Sequence, residues 1–331
     1  MAVRVYLKQA WNLMKQNPLF STLYIVGTGI SIVMTMVIAI VYYVRLAPVY
    51  PETNRMRTLV VKSAKMTNDE STHSANISYA MLKDWFYSLE SAEVSTGVSG
   101  TSYARVTNDK EEIPTYARYT DENFFRVFPL VFLEGKPFTE ADRRSGIHNV
   151  VLTDSYAQQL FGTTKGVVGK NFLMDYTNVK VVGVVKSGSF LTPDSYAQVY
   201  LPYSCRDGYD DEGSHWALGG YRVYILMKES KSVTDVQDEV LELVRKFNVS
   251  DMGDGWKLDL VGQPELYWHS TFRLWSNVAV DWGRVIWMFV GIFMVLLFVP
   301  AFNLSGMISA RMERQLPDLG IRKAFGASRR R

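Results

Sequence analysis

Two charge-free stretches, LFSTLYIVGTGISIVMTMVIAIVYYV (residues 19–44) and VIWMFVGIFMVLLFVPAFNLSGMISA (residues 285–310), determine the predicted fold. Each has 26 residues without Asp, Glu, Lys, Arg or His, and about 20 apolar residues suffice to cross the hydrocarbon core of a bilayer. The 240 residues between them have an ordinary globular composition. We therefore expect an α+β membrane protein in which transmembrane helices at 19–44 and 285–310 flank an α/β domain at 45–284.

The charge distribution predicts the orientation of the two spans. Residues 1–18 carry three basic residues and no acid, residues 311–331 carry seven basic residues against two acids, and the intervening loop has a net charge of −5. Basic residues near the ends of spans stay in the cytoplasm. Both termini are therefore predicted to be cytoplasmic and the large domain to lie outside. The length of the first stretch and the bulky residues after it favour a retained anchor over a cleaved signal peptide.

Residues 1–18 have the spacing of an amphipathic helix, which predicts a cytoplasmic helix lying on membrane lipid. Four residues within the spans are expected to face other helices: Gly27, Ser31, Asn303 and Gly306. Small residues at a spacing of four let helices approach closely, and a polar amide in hydrocarbon needs a partner. Ordinary tolerance of glycine in membrane helices explains Gly27 and Ser31 equally well.

The outer domain shows a weak internal repeat. Strand–helix–strand signals occur at residues 55–98 and again at 220–262, and residues 99–200 show a β-rich pattern between them. Residues 270–284 predict a stalk helix that runs into the second span. Cys205 is the only cysteine, so no disulfide can form within the chain. A partly buried, inert thiol is favoured over pairing between chains.

Enzymatic signatures are missing from the sequence. Residues 162–171 (GTTKGVVGKN) contain the glycines and lysines of a phosphate loop but not the Gly-x4-Gly-Lys-[Ser/Thr] register. The four histidines are isolated, with none at the spacing of metal ligands. We predict no enzyme activity, no catalytic residue, no bound cofactor, no metal and no nucleic-acid partner for this chain.

The segment after the second span carries the most specific motif. Residues 318–328 (DLGIRKAFGAS), with Glu313 and Arg314 before them, resemble the cytoplasmic signature of MacB/FtsX-type permeases of the mechanotransmission (type VII) ABC transporters. The outer domain adds an independent match. EGKPF (134–138), VVLT (150–153), AQQLFG (157–162), VVGVVK (181–186) and VYLP (199–202) follow the order of the family's periplasmic core domain. Asp318 departs from the family's usual Glu.

The resemblance implies a permease subunit that couples ATP hydrolysis by a separate ATPase to movements of its periplasmic domain, for export or extraction of a drug, peptide or lipoprotein. It implies a bacterial inner (plasma) membrane location, with 55–98 and 220–262 forming a porter-like part and 99–200 an inserted subdomain. The implied partners are a cytoplasmic ABC ATPase that binds the ATP, a second permease copy or paralogue, and, as an option, a periplasmic adaptor. The family has four transmembrane helices, and the sequence corresponds to its N-terminal part.

The implied ATPase-coupling segment lies within residues 311–331 and consists of Gly320, Ile321, Arg322, Lys323, Ala324, Phe325, Gly326 and Ala327. On a helix, Ile321, Ala324 and Phe325 share one face. Electrostatic attraction of the basic residues to anionic lipid is the alternative reading. For the whole chain, the alternatives are a two-span sensor with a ligand-binding outer domain and an FtsX-like regulator of cell-wall hydrolases.

Overall fold

The computed structural model of the chain describes Trp11, Lys15 and residues 18–100, 102–108, 111–206, 208–209, 216–250 and 255–325. The chain forms two compact units, one comprising Met1–Tyr42 and Asp281–Arg331 and the other Tyr43–Val280. The amphipathic helix predicted at 1–18 falls outside the described residues apart from Trp11, Lys15 and Pro18.

Helix α1 spans Pro18–Leu46. Proline suits a first helical turn because its missing N–H would have no partner there. Among the described residues, the one helix long and apolar enough to cross a membrane is Ile25–Leu46. Its side chains are mostly exposed, as expected of a helix that faces lipid.

The unit Tyr43–Val280 has two lobes. Elements of the first lobe are β1 (Thr58–Val61), β2 (Ala64–Thr67), β3 (Thr72–Ile77), α2 (Tyr79–Asp84) and β4 (Ala92–Ser99). Those of the second are β5 (Ser102–Asn108), β6 (Glu111–Thr120), α3 (Phe124–Val127), β7 (Phe132–Gly135), α4 (Glu140–Arg144), β8 (Asn149–Thr153), α5 (Asp154–Phe161), β9 (Asn171–Met174), β10 (Thr177–Val185) and β11 (Val199–Pro202). The chain then returns to the first lobe with β12 (Leu218–Gly219), β13 (Tyr221–Met227), α6 (Val233–Val249), β14 (Lys257–Asp259) and β15 (Glu265–Leu266).

The first lobe is built on two interlocked strand–helix–strand units. β13 lies between β1 and β4 and is antiparallel to both, and β1 lies between β13 and β15. Strands β1 and β4 therefore form a split βαβ unit through α2, and β13 and β15 form a second one through α6. The predicted second repeat, 220–262, stops short of its closing strand. Lys257–Asp259 pairs instead with β2 of a hairpin, and the strand that pairs with β1 is Glu265–Leu266.

The second lobe is a closed β-barrel. Its strand order is β10–β8–β11–β6–β5–β9, and β9 pairs back onto β10, while β7 adds to the end of β10. Closure leaves no free edge within the ring. Apolar side chains fill the interior, with Val106, Leu152 and Val181 fully buried. A separate cluster joins the lobes, because Val60 and Tyr224 of the first lobe pack with Phe124 and Tyr200 of the second.

The last helix, α7 (Trp282–Ala324), is continuous over 43 residues. The described side chains at its start, Trp282–Phe298, form an apolar segment. The prediction of a stalk helix over 270–284 is wrong for most of that range. A short 3₁₀ turn covers His269–Phe272, residues 273–281 are not helical, and α7 begins at Trp282. At the start of α7, the Asp281 carboxylate accepts a hydrogen bond from the Arg284 backbone N–H at 3.0 Å. A side-chain oxygen that accepts from an N–H three residues later is typical of a helix N-cap.

Candidate functional site

The candidate site consists of buried polar groups where the chain enters and leaves the domain and where its two lobes meet. We call these groups the joints; they are centred on Glu52 and Arg55, Asp194, Arg118, Asp121, and Glu265 and Arg273. Leg 1 is the segment of residues 47–57 that joins α1 to β1. One guanidinium nitrogen of Arg55 donates to the Val44 carbonyl oxygen in the last turn of α1 at 2.7 Å, and the other pairs with Glu52. The last carbonyls of a helix lack partners within it, so Arg55 caps α1 with its side chain.

The ion pair of leg 1 is shielded from water. The Arg55 side chain is 3% exposed and that of Glu52 0%. The second oxygen of Glu52 accepts a 2.7 Å hydrogen bond from the Ser195 hydroxyl, which belongs to the loop before β11 in the barrel. The Arg55 guanidinium also lies 5.1 Å from the Tyr267 ring centroid, within cation–π range. Leg 1 is thus bonded to α1, to the barrel and to the residue after β15.

A second buried carboxylate, Asp194, holds the same barrel loop against the first lobe. Its oxygens lie 3.2 Å from the Lys62 ammonium and 3.1 Å from an Arg222 guanidinium nitrogen. Burial alone would raise the pKa of Asp194, but Lys62, Arg222 and Arg118 outweigh it and hold that pKa well below its usual range. The Asp194 carboxylate therefore stays charged and bridges the lobes.

Arg118 fastens that loop from the barrel side. Its side chain projects from β6 and is almost wholly buried. It donates to the carbonyl oxygens of Pro193 at 2.7 Å and Tyr196 at 3.1 Å. A further bond of 3.4 Å reaches the Ser99 carbonyl at the end of β4, where the chain leaves the first lobe.

Asp121 fixes the segment of chain that directly follows β6. This fully buried carboxylate accepts hydrogen bonds from the Tyr87 hydroxyl at 2.6 Å, the Thr96 hydroxyl at 2.7 Å and the Gly97 backbone N–H at 2.8 Å. Burial raises the pKa of Asp121 to about 6, against the effect of these donors. Next to it, Glu122 pairs with Arg143 at 2.8 Å.

Leg 2, residues 267–280, leaves the domain after β15 and has a buried ion pair of its own. Arg273 pairs with Glu265 at 2.7 Å, with side chains 2% and 8% exposed. The same guanidinium donates to the carbonyl oxygens of Val261 and Val278. One guanidinium thus joins leg 2, through Val278, to β15 and the turn before it, through Glu265 and Val261.

The joints share one physical feature. Charged groups are neutralised inside the joints by partners on different segments, which fixes how the segments are oriented. In the described part of the chain, no group of three or more His, Cys, Asp or Glu side chains is placed to hold a metal ion.

The helix-packing residues predicted from sequence lie in the two long helices. The Ser31 hydroxyl donates to the Gly27 carbonyl oxygen of its own helix at 2.9 Å, and Ser31 is buried. Asn303 and Gly306 lie in α7, and Gly306 is exposed. A role for these residues in helix packing stays a prediction.

The predicted coupling residues lie at the end of α7. Residues 320–324 form its last turn and a half, and Gly320, Ile321, Ala324 and Phe325 are exposed, Phe325 to 88%. The backbone of Arg322 and Lys323 is helical. Gly326 and Ala327 lie outside the described residues.

Sequence reasoning missed the joint residues, because buried charges look like surface charges in a sequence. One signal was available. Glu52 and Arg55, of opposite charge and three residues apart, are the first charged residues after Arg45, which ends the 26-residue charge-free stretch.

Several known proteins resemble this chain in sequence. The sequence model described as the MacB-like periplasmic core domain matches residues 20–243. The macrolide export ATP-binding/permease protein MacB of Escherichia coli O157:H7 is 20% identical over 224 residues, which are 67% of this chain and 32% of that protein. MacB of Shigella dysenteriae serotype 1 is 28% identical over 105 residues, 31% of this chain and 16% of that protein. The chain thus aligns with about a third or less of the length of these relatives.

Two solved structures are also similar. The periplasmic region of MacB from Actinobacillus actinomycetemcomitans matches with a TM-score of 0.43 and 17% identity, over 60% of this chain and 88% of that one. The extracellular domain of the ABC-type transporter YknZ from Gram-positive bacteria matches with a TM-score of 0.41 and 16% identity, over 60% of this chain and 100% of that one.

Proposed function

Because the chain belongs to the family of MacB-like periplasmic core domains, which are parts of ABC-transporter permeases, we propose that it couples ATP hydrolysis by a partner ATPase to movements of its periplasmic domain. The process served is export or extraction of a drug, peptide or lipoprotein from the periplasmic side. This substrate class agrees with the macrolide export named for its relatives.

The observation that carries this proposal is the bonding of Arg55. Its guanidinium joins the Val44 carbonyl in the last turn of α1 to Glu52, and Glu52 joins Ser195 of the barrel. A displacement of the last turn of α1 is therefore passed to both lobes through short, buried contacts rather than through a flexible linker. Energetic coupling between distant sites is carried by packed side chains and hydrogen-bond networks of this kind.

The membrane topology completes the proposal. Helix α1 is one span, the apolar part of α7 is the second, and both termini are cytoplasmic in the inner membrane. The basic residues at 1–18 and 311–331 support this orientation. A second permease copy or paralogue, membrane lipid and a periplasmic adaptor are the further partners.

The coupling segment at residues 320–327 is the proposed contact with the ATPase. The exposure of Ile321 and Phe325 at the end of a continuous helix supports it, because apolar side chains on one helix face are suited to docking in a groove. The chain itself supplies no nucleotide-binding motif.

Pull-down of ABC ATPase subunits with the membrane-embedded chain tests this function. We expect the wild-type chain and Phe325→Leu, which keeps an apolar side chain, to retain the ATPase. Phe325→Asp should lose it, because a carboxylate cannot enter an apolar groove without a partner. Undiminished retention by Phe325→Asp would contradict the coupling assignment.

A further inference from the structure

The loop between β10 and β11 exposes an aromatic side chain, and hydrogen bonds hold the residues on both sides of it. Phe190, at its apex, is 73% exposed. On one side of the apex, the Ser187 backbone N–H donates to Asp154 at 2.9 Å. On the other side, the Thr192 hydroxyl donates to the Ser189 carbonyl at 2.6 Å. Arg118 holds the next residue along, through the Pro193 carbonyl described above. The loop is therefore ordered, and its apolar tip points to the outside.

The same loop lies against leg 1. The Tyr50 hydroxyl donates to the Lys186 carbonyl oxygen at 2.8 Å and accepts from the Val131 N–H at 3.2 Å. The Gly188 backbone packs on Pro51, since a Cβ added to Gly188 would lie 3.3 Å from the Pro51 Cδ. Pro51 follows the end of α1 at Leu46 by five residues, so at most about 18 Å of chain separates the loop from the end of the span.

The chemistry of this surface matches a bilayer surface. Val131, beside Tyr50, is half exposed. Lys186 is exposed, and its ammonium lies 5.6 Å from the Tyr50 ring centroid. Aromatic rings concentrate at the depth of lipid headgroups, and lysine next to them attracts anionic lipid.

We propose that residues 187–192 insert Phe190 into the headgroup region of the periplasmic leaflet beside α1. This loop gives the barrel a membrane contact separate from the legs. The inference rests on the proposed crossing of the membrane by α1 and is independent of ATPase coupling.

Site-specific fluorescence quenching in vesicles tests it. Single cysteines are introduced into the full chain in a Cys205→Ser background, labelled with the environment-sensitive fluorophore NBD, and reconstituted into phosphatidylcholine–phosphatidylglycerol vesicles. Phe190→Cys is the test position. Met34→Cys, exposed within α1, is the lipid reference. Asn178→Cys, exposed near the other end of β10, is the aqueous control at about 26 Å from Lys186.

We expect doxyl-labelled lipid to lower the fluorescence at positions 190 and 34 at least twofold and to leave position 178 unchanged. Aqueous iodide should quench position 178 at least twice as strongly as position 190. Quenching of position 190 by iodide but not by lipid would place the loop in water and overturn the inference. Quenching by neither would mean that protein covers it, which also overturns it. If position 34 were not quenched by lipid, the proposed topology would fail and this inference with it.

Discussion

The Glu52 carboxylate accepts a 2.7 Å hydrogen bond from the Ser195 hydroxyl, and 143 residues of sequence separate the two. The other oxygen of the same carboxylate is paired with Arg55, which caps α1. One buried carboxylate thereby joins the barrel to the segment that emerges from the first span. Changes at Glu52 should affect stability more than changes at any exposed acid of the domain.

Glu52→Gln should lower the free energy of unfolding by about 3–5 kcal/mol, because it leaves the buried Arg55 guanidinium without a counter-charge. Glu229 provides a matched control. It also pairs with an arginine, Arg57, at 2.9 Å, but its side chain is 82% exposed, so Glu229→Gln should cost about 0–1 kcal/mol. Urea unfolding of the full chain in detergent measures both. Equal losses would show that the leg 1 pair is not shielded from solvent.

The Asp121 carboxyl should make stability depend on pH in a defined window. Its pKa in the folded chain is about 6, above the value of about 3.9 expected when unfolded. Between these values the folded state binds more protons, so the free energy of unfolding should fall as pH rises from about 4 to about 6, by about 3 kcal/mol from this group. Above that window its contribution is constant.

Asp121→Asn removes the titrating group and should flatten that slope. The measurement is the free energy of unfolding of both proteins at several pH values between 4 and 7. The prediction concerns the slope of the free energy of unfolding against pH and not its absolute value, because the substitution also changes the hydrogen bonds of Tyr87 and Gly97 at every pH. Parallel curves for the two proteins would exclude Asp121 as the source.

Gly135 should tolerate no side chain. It closes β7 with φ at +70°, and an added Cβ would lie 2.1 Å from the Val182 carbonyl oxygen. Gly146 is the control, because its φ is also positive, at +61°, but nothing lies within 4 Å of an added Cβ. Gly146→Ala should cost about 1–2 kcal/mol from backbone strain alone. Gly135→Ala should cost about 1–3 kcal/mol more from the clash, measured as the difference in thermal or urea unfolding.

The thiol of Cys205 should be unreactive in the folded chain. Burial raises its pKa to about 12, and the thiolate is the nucleophile in reactions with disulfide reagents. At pH 8 we expect labelling by Ellman's reagent to be at least about a hundredfold slower in the native protein than after unfolding. Fast labelling of the native chain would indicate an exposed thiol and weaken the case for an inert cysteine.

Regular, apolar elements of the domain were predictable from sequence. Alternating or helically spaced apolar residues mark a buried face, and such spacing is present in helix Asp154–Phe161 and in strands Asn171–Met174 and Tyr221–Met227. The hairpin strand Thr72–Ile77 has no such pattern. Its sequence, THSANI, is mostly polar and its first half is exposed, so packing against its neighbours rather than local pattern determines it.

The joints could not be derived from the sequence for a different reason. Asp194 and Lys62 are 132 residues apart, and only the return of the chain from the barrel brings them together. The stalk prediction rested on a stretch, 270–284, that looks helical and contains no proline. In the structure, Arg273 instead binds the carbonyls of Val261 and Val278 and pairs with Glu265, eight residues before it.

The position of the two legs in the first lobe determines which forces its sheet can resist. Leg 1 enters β1 at Thr58 and leg 2 begins after Leu266 on β15, its antiparallel neighbour, and the backbone N–H of Tyr267 bonds to the Thr58 carbonyl at 2.8 Å. Both legs therefore leave the same end of one strand pair that is only two residues long. Spreading them apart would unzip that pair one hydrogen bond at a time, whereas a pull shared by both legs loads the sheet as a whole. The Arg55 guanidinium packs against the Tyr267 ring at the end from which such unzipping would start. This contact must therefore break before the legs can spread.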